Sequence, residues 1–316
     1  MKKFIKNIAW MTSFLILVFL ALNIFLSKHN DEPPHYRLQY QESLNKNSIY
    51  NGAIIGNSNA THSIRPSKLD TLDIRFYNFA LNGGTQNFYS DWYNDLFVIN
   101  HPKIDYWIIS ADHYFITRNE RNFTSDSEYF PVKHFWSLLI GDNEYDKKNL
   151  IANKIPLLKY RSRVKGSLNK NTQGKYKFLI EDFDRGYISL EKKNNIDISG
   201  PKIIKEKISI EAKEHFIKLI NRISEHGSKL VFVIPPEYNL SEEQYKDHKK
   251  FLTKLSLEKN IPLYDFNEKK YHEILHRREN FTDLIHLNKK GSLLFSNLLR
   301  EKLYQNEYTT MIYNKN

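Results

Sequence analysis

The run at residues 230–234 (LVFVI) constrains the fold most. Five consecutive apolar residues with no polar alternation mark a strand buried on both faces, and such strands belong to parallel sheets covered by helices. The flanking segments agree. Upstream, residues 211–225 set Ala212, Phe216, Leu219, Ile220 and Ile223 on one helical face and stop at Gly227, a C′ residue. Downstream, Ser241 with Gln244 makes a capping box for a helix through Lys259, and residues 261–266 (IPLYDF) read as the next strand. Residues 288–304 form a closing amphipathic helix with Leu294, Leu298 and Leu299 inward. Earlier strand signals lie at residues 52–56 (GAIIG), 74–80 (IRFYNFA) and 106–110 (YWIIS). Between the last two, Phe88, Trp92, Leu96 and Ile99 recur at helical spacing. Strand and helix alternating in this way predict a three-layer α/β/α domain around a mainly parallel, five-stranded sheet.

The N-terminus is of another kind. Lys2, Lys3 and Lys6 precede nineteen uncharged residues, 8–26, and Lys28 closes the run. At the helical rise this roughly spans a hydrocarbon core of about 30 Å. A cleaved signal peptide would have a shorter apolar region and a small-x-small site, which residues 21–27 lack. The expectation is therefore a retained anchor, residues 1–27, with its N-terminus inside and the rest of the chain outside the cytoplasm. Residues 28–48 read as a polar linker containing Pro33 and Pro34, and residues 49–316 as the α/β domain. Residues 118–207 break the alternation. They are rich in Lys, Asn and Ser, carry the aromatics Tyr129, Phe130, Phe135 and Trp136, and read as an insertion.

Composition narrows the function. With 41% hydrophobic and 14% aromatic residues, the chain has the apolar area that a disordered chain lacks. Zero cysteines exclude a disulfide scaffold, a thiolate metal site, a lipoprotein acceptor and a cysteine nucleophile, and fit an oxidising compartment. The net charge of +11 comes from scattered lysines with no Arg-rich stripe, so it predicts no nucleic-acid partner and suits an anionic membrane or wall polymer.

Parallel sheets bind ligands at the carboxyl ends of their strands. Three such ends carry chemistry. Gly56-Asn57-Ser58-Asn59 places a serine on a tight strand-to-helix turn, and Asn82-Gly83-Gly84-Thr85 offers close backbone approach to a ligand. Residues 281–288 (FTDLIHLN) set Asp283 and His286 three apart on one short turn. A serine hydroxyl needs a base at neutral pH. His286 is the candidate, with Asp283 fixing its tautomer and the N–H groups of Ser58 and Gly83 as oxyanion donors. The plainer readings are a helix N-cap at Ser58, a helix-entry pair at Asp283/His286 and a simple turn at Gly83-Gly84.

These blocks resemble the SGNH/GDSL hydrolase superfamily, in its branch of membrane-anchored envelope proteins that includes the alginate O-acetylation and teichoic-acid D-alanine transfer proteins. GNS at 56–58 stands for the nucleophile block, YNFALNGGT at 77–85 for the glycine block, and FTDLIHLNKKG at 281–291 for the Asp-x-x-His block. The resemblance covers residues 50–117 and 208–303. It implies a flavodoxin-like strand order and a serine esterase or O-acyltransferase acting on acyl, commonly acetyl, esters of cell-envelope polysaccharide. Ser58, Asp283 and His286 would be catalytic, no cofactor would be needed, and a multi-pass membrane acyltransferase would be a partner. One departure stands out: the family's third block supplies an asparagine donor, whereas the third strand here ends Ser110-Ala111-Asp112-His113. A non-catalytic glycan-binding or scaffold protein on the same fold is the alternative.

A rival motif lies nearby. Residues 272–276 (HEILH) are a literal H-E-x-x-H, which on a helix can ligate zinc with Glu273 as base. The extended form is missing, since position 282 is Thr282 and position 279 is Glu279, so a polar surface helix is expected. Asn59, Asn122 and Asn280 begin glycosylation sequons.

Overall fold

The computed structural model describes residues 2–28, 34–93, 97–101, 104–117, 176–192, 207–238, 240 and 242–313. The chain divides into two compact units, residues 1–32 with 121–173, and residues 33–120 with 174–316. In the first unit the described element is helix α1 (Lys2–Lys28). Its stretch Lys2–Phe25, 24 residues, is long and apolar enough to cross a membrane. The aromatic cluster at 129–136 and the sequon at Asn122 lie outside the described residues.

The second unit begins with α2 (Pro34–Ser43), so the stretch after the two prolines is helical. Pro34 occupies the first helical position, where the missing N–H costs nothing. The chain then alternates: β1 (Gly52–Ile55), α3 (Ser58–Ser63), α4 (Pro66–Leu69), β2 (Phe76–Asn78), α5 (Gln86–Trp92), α6 (Val98–Asn100), β3 (Tyr106–Ser110) and α7 (His113–Thr117). After an antiparallel hairpin, β4 (Tyr176–Asp184) with β5 (Tyr187–Lys192), come α8 (Ile210–Ser224), β6 (Lys229–Ile234), α9 (Glu242–Lys259), β7 (Leu263–Asp265), α10 (His272–Leu275) and α11 (Lys289–Tyr313).

Five strands form one sheet in the order β2-β1-β3-β6-β7. All neighbours are parallel, with Gly52 opposite Phe76, Ile54 opposite Ile108, Ile109 opposite Phe232, and Val233 opposite Tyr264. This is the flavodoxin-like order of a doubly wound α/β domain, and its direction of winding reverses between β1 and β3.

Alternating side chains divide each central strand between two cores. Ile54, Ile108, Val231 and Val233 share a core with Ile64 and Leu69 on one side and Phe295 and Leu299 of α11. On the other face Trp107 meets Tyr93 at 5.5 Å, and Phe232 meets Phe216 of α8 at 5.7 Å between ring centroids. All five apolar residues expected on the inner face of α8 are buried, and Ser209 caps the helix by accepting from the Ala212 N–H at 3.0 Å. The closing helix keeps Leu299 buried, with Leu294 and Leu298 packed at the core margin.

Of the residues expected at helical spacing over 86–100, Phe88 and Trp92 are buried and Leu96 lies outside the described residues. α5 ends at Trp92, Phe97 is fully buried, and Ile99 is 64% exposed. Phe97 rather than Ile99 takes a core position, packing on Trp92 at 4.4 Å between ring centroids. The described part of the 118–207 stretch has regular structure of its own. It holds the hairpin, whose residues Leu179, Tyr187, Ile188 and Leu190 are buried.

Candidate functional site

Ser58 is the first residue of α3, directly past the carboxyl end of β1 and beside the point where the sheet's winding reverses. Such a crevice is where open parallel sheets hold ligands. The turn is built by close packing. A Cβ on Gly56 would lie 2.7 Å from the Ser110 Cβ and 2.9 Å from that of Ala60, so only glycine lets β1, β3 and α3 approach this closely. Asn57 caps the helix by accepting from the Asn59 N–H at 2.9 Å and donates its amide to Asp112 at 2.7 Å. Asp112, fully buried, also accepts the Phe115 N–H at 3.1 Å. The carboxylate at the end of β3 therefore acts as an acceptor that anchors the turn before Ser58.

The partner loop follows the last strand. An antiparallel bridge pairs Phe281 with Leu287, and the Thr282 N–H donates to the His286 carbonyl at 2.8 Å. Within that closed loop Asp283 Oδ1 accepts the backbone N–H groups of Ile285 at 2.9 Å and His286 at 2.8 Å, an Asx turn. The same carboxylate lies 2.9 Å from His286 Nδ1 through Oδ2. His286 Nε2 then lies 2.8 Å from Ser58 Oγ. Asp283 and His286 are buried, while Ser58 is half-buried.

The tautomer follows from the donors. A carboxylate accepting two backbone N–H groups is an acceptor only, so Nδ1 carries the imidazole proton. Nε2 is left with its lone pair facing the serine hydroxyl, which donates. Nucleophile, base and orienting acid are thus arranged in one line across residues 228 positions apart in the chain.

Gly83 lies in the turn after β2 with φ +79, a conformation that favours glycine, and a Cβ there would meet open space. The turn rests on the nucleophile strand: the Phe79 N–H donates to Ile54 O at 2.8 Å and the Leu81 N–H to Gly56 O at 3.2 Å. Tyr89 reinforces it, donating to the Gly56 carbonyl at 2.8 Å.

The H-E-x-x-H residues are differently engaged. His272 Nε2 lies 3.0 Å from the Asn267 carbonyl and His276 Nε2 lies 2.9 Å from that of Phe266. Carbonyl oxygens only accept, so both Nε2 atoms carry protons and act as donors. Among the described residues no group of three or more His, Cys, Asp or Glu side chains is placed to hold a metal ion. α10 ends at Leu275, so the motif is one short turn rather than a long helix. Burial pushes the His276 imidazole below its ordinary pKa. The sequons at Asn59 and Asn280 are also internal, since both asparagines are buried.

Two features were not anticipated from sequence: the Asn57–Asp112 link and His62. His62 stands one turn after Ser58 on α3, 1% exposed, with its ring centroid 5.7 Å from that of His286 and nearly perpendicular to it. Its i+4 spacing from Ser58 was the available signal.

The fold and this site define a doubly wound α/β protein with a serine, histidine and aspartate at the carboxyl edge of its sheet. No protein-family model matches the chain, and no curated protein matches it. Similar solved structures include a protein provisionally described as a platelet activating factor from Streptococcus pneumonia, 12% identical, with a TM-score of 0.45 over 92% of this chain and 99% of that one. Another is a provisionally described acylhydrolase from Bacteroides fragilis NCTC 9343, 11% identical, with a TM-score of 0.41 over 86% of this chain and 95% of that one.

Proposed function

We propose that this chain is a membrane-anchored serine esterase or O-acyltransferase of SGNH type, acting on acyl esters of an extracytoplasmic cell-envelope polysaccharide. The observation that carries the chemistry is the continuous contact from Ser58 Oγ to His286 Nε2 and from His286 Nδ1 to Asp283. In the reaction Ser58 Oγ attacks the acyl carbonyl carbon as its proton passes to Nε2. The oxyanion that forms is held by the N–H groups of Ser58 and Gly83. The carbon–oxygen bond to the leaving alcohol breaks as that alcohol takes the proton from Nε2, leaving acyl-Ser58. An incoming hydroxyl, from water in hydrolysis or from a sugar in transfer, gives its proton to Nε2 and attacks the acyl carbon, and Ser58 Oγ takes that proton back as its bond to the acyl carbon breaks. Asp283 stays ionised throughout and stabilises the imidazolium.

The envelope setting rests on α1, which suits a single-pass anchor, and on the lysines before it, which favour an inside N-terminus. In the transfer version a multi-pass membrane acyltransferase would supply the acyl group. A second reading, a glycan-binding protein without catalysis, is favoured by Asp112, which stands at the end of β3 in place of the donor that the resemblance calls for.

The experiment is steady-state hydrolysis of p-nitrophenyl acetate by the full chain in detergent, together with a reporter fused after Asn316. Turnover that needs Ser58, with a reporter active outside the cytoplasm, is expected. No turnover and no acyl-enzyme would favour the binding protein, and a reporter active in the cytoplasm would overturn the topology.

A further inference from the structure

The hairpin β4–β5 interrupts the doubly wound pattern, yet two carbonyls of β5 reach the walls of the site. Ile188 O lies 2.8 Å from His62 Nδ1, and Leu190 O accepts from the Thr282 hydroxyl at 3.0 Å. The two carbonyls are two residues apart on one strand, so they point to the same side. One grips the helix that carries Ser58, and the other grips the loop that carries Asp283 and His286.

The hairpin is held there by a buried polar network. Arg65, between α3 and α4, pairs both its terminal nitrogens with Asp182 at 3.2 and 2.7 Å and lies 4.4 Å from the Tyr187 ring centroid. Tyr187 Oη meets Ser292 of α11 at 2.6 Å, and Lys289 reaches Asp182 at 3.2 Å. Asp182 is held below its ordinary pKa; burial raises it, but hydrogen bonds from Arg65, Ser189 and Lys289 outweigh that.

His62 connects this network to the triad. Its Nδ1 donates to a backbone carbonyl, which fixes its ring, and that ring stands edge-on to His286 at 81°. Ser58 and His62 lie four apart on one helix, so the same face presents the hydroxyl to Nε2 and a fixed ring against the imidazole plane. We infer that His62 is a positioning residue for His286, and that the β4–β5 hairpin sets the reactive geometry by locking His62 through Ile188 O. A mobile imidazole would lose alignment with Ser58, and misplacements of about 1 Å cost on the order of a hundredfold in rate.

This inference rests on the esterase reading for its kinetic test and has a second readout that does not. Full-length chain in detergent, labelled with ¹⁵N-histidine, would be compared with His62→Ala and His62→Asn. Asparagine keeps a donor for Ile188 O without the ring. Both variants are expected to lower kcat on p-nitrophenyl acetate about 10- to 100-fold with KM within about twofold, and to broaden or erase the Nδ1–H resonance of His286. His62→Asn should remain fully folded at the assay temperature by circular dichroism, so that lost rate is not lost fold. Asp182→Asn should lower kcat alone but add less than its own full effect in the His62→Asn background, since the hairpin acts in part through that ring. Wild-type kcat and an unchanged His286 resonance in His62→Asn would overturn the inference, as would additive effects of the two substitutions. If the wild type turns over no ester while the resonance is still lost in His62→Asn, the esterase reading fails and the positioning role stands.

Discussion

Two acid–histidine motifs lie within fifteen residues of each other, and the fold treats them oppositely. His272-Glu273-x-x-His276 has the stricter local pattern, yet each of its Nε2 atoms is spent on a carbonyl, of Asn267 or Phe266. Asp283-x-x-His286 is a looser pattern, yet its Nε2 points out of the loop at Ser58. The difference lies in which nitrogen the immediate backbone engages. Where a carboxylate takes Nδ1–H, the outward nitrogen is a base; where a carbonyl takes Nε2–H, that nitrogen is a donor and ties a turn to a strand end. Spacing along a helix proposes a ligand pair, but the acceptor facing the ring decides its chemistry.

That comparison sets the order of expected effects. Replacing Ser58 or His286 with alanine should each lower ester turnover by at least about 10⁴-fold, since members of a triad act as a unit. Asp283→Asn should lower kcat by about 10³- to 10⁴-fold, because the asparagine amide would favour the wrong tautomer of His286. Circular dichroism should find all three folded, as none belongs to the apolar core. By contrast, His272→Ala and His276→Ala should leave turnover within about twofold. His276→Ala should instead lower stability by about 1–3 kcal/mol in denaturant melts, through the unpaired Phe266 carbonyl. A large rate loss with bound zinc in the wild type would reverse the assignment of the two motifs.

The smallest effect is one of pH. Because burial depresses the His276 pKa, the unfolded chain takes up its proton first, near pH 6.5, as the solution is acidified. The native state's advantage from a neutral His276 is complete above that value and shrinks as pH falls below it. His276→Asn should flatten this part of the stability profile, measured as denaturant midpoints from pH 7.5 to 5. An unchanged slope would show that the ring is not desolvated.

The sheet was legible because its strands are unbroken apolar runs between amphipathic helices, as at residues 230–234 and on the face of α8. The candidate residues could be picked out because Ser58 and Gly83 follow the ends of β1 and β2 and Asp283 and His286 stand just before α11. The hairpin was not, since β4 and β5 bury residues against helices far along the chain rather than in a periodic face of their own. Arg65, Tyr187 and Ser292, for instance, meet across more than two hundred positions. The burial of Phe97 was equally hidden, because it stands five residues past Trp92, off the spacing that picked out Ile99, and its packing on Trp92 exists only in the fold. Asn57 and Asp112 look like turn residues in sequence, and their link exists only once β1 and β3 are neighbours.

The central claim is that Ser58 is made nucleophilic by His286. It is tested most directly by exposing the full chain in detergent to an alkyl fluorophosphonate and mapping the adduct by peptide mass spectrometry. Stoichiometric phosphonylation of Ser58, abolished by Ser58→Ala and slowed at least about a thousandfold by His286→Ala, is the expected result. An unmodified Ser58 in the folded wild-type chain, or labelling that persists at full rate without His286, would contradict it.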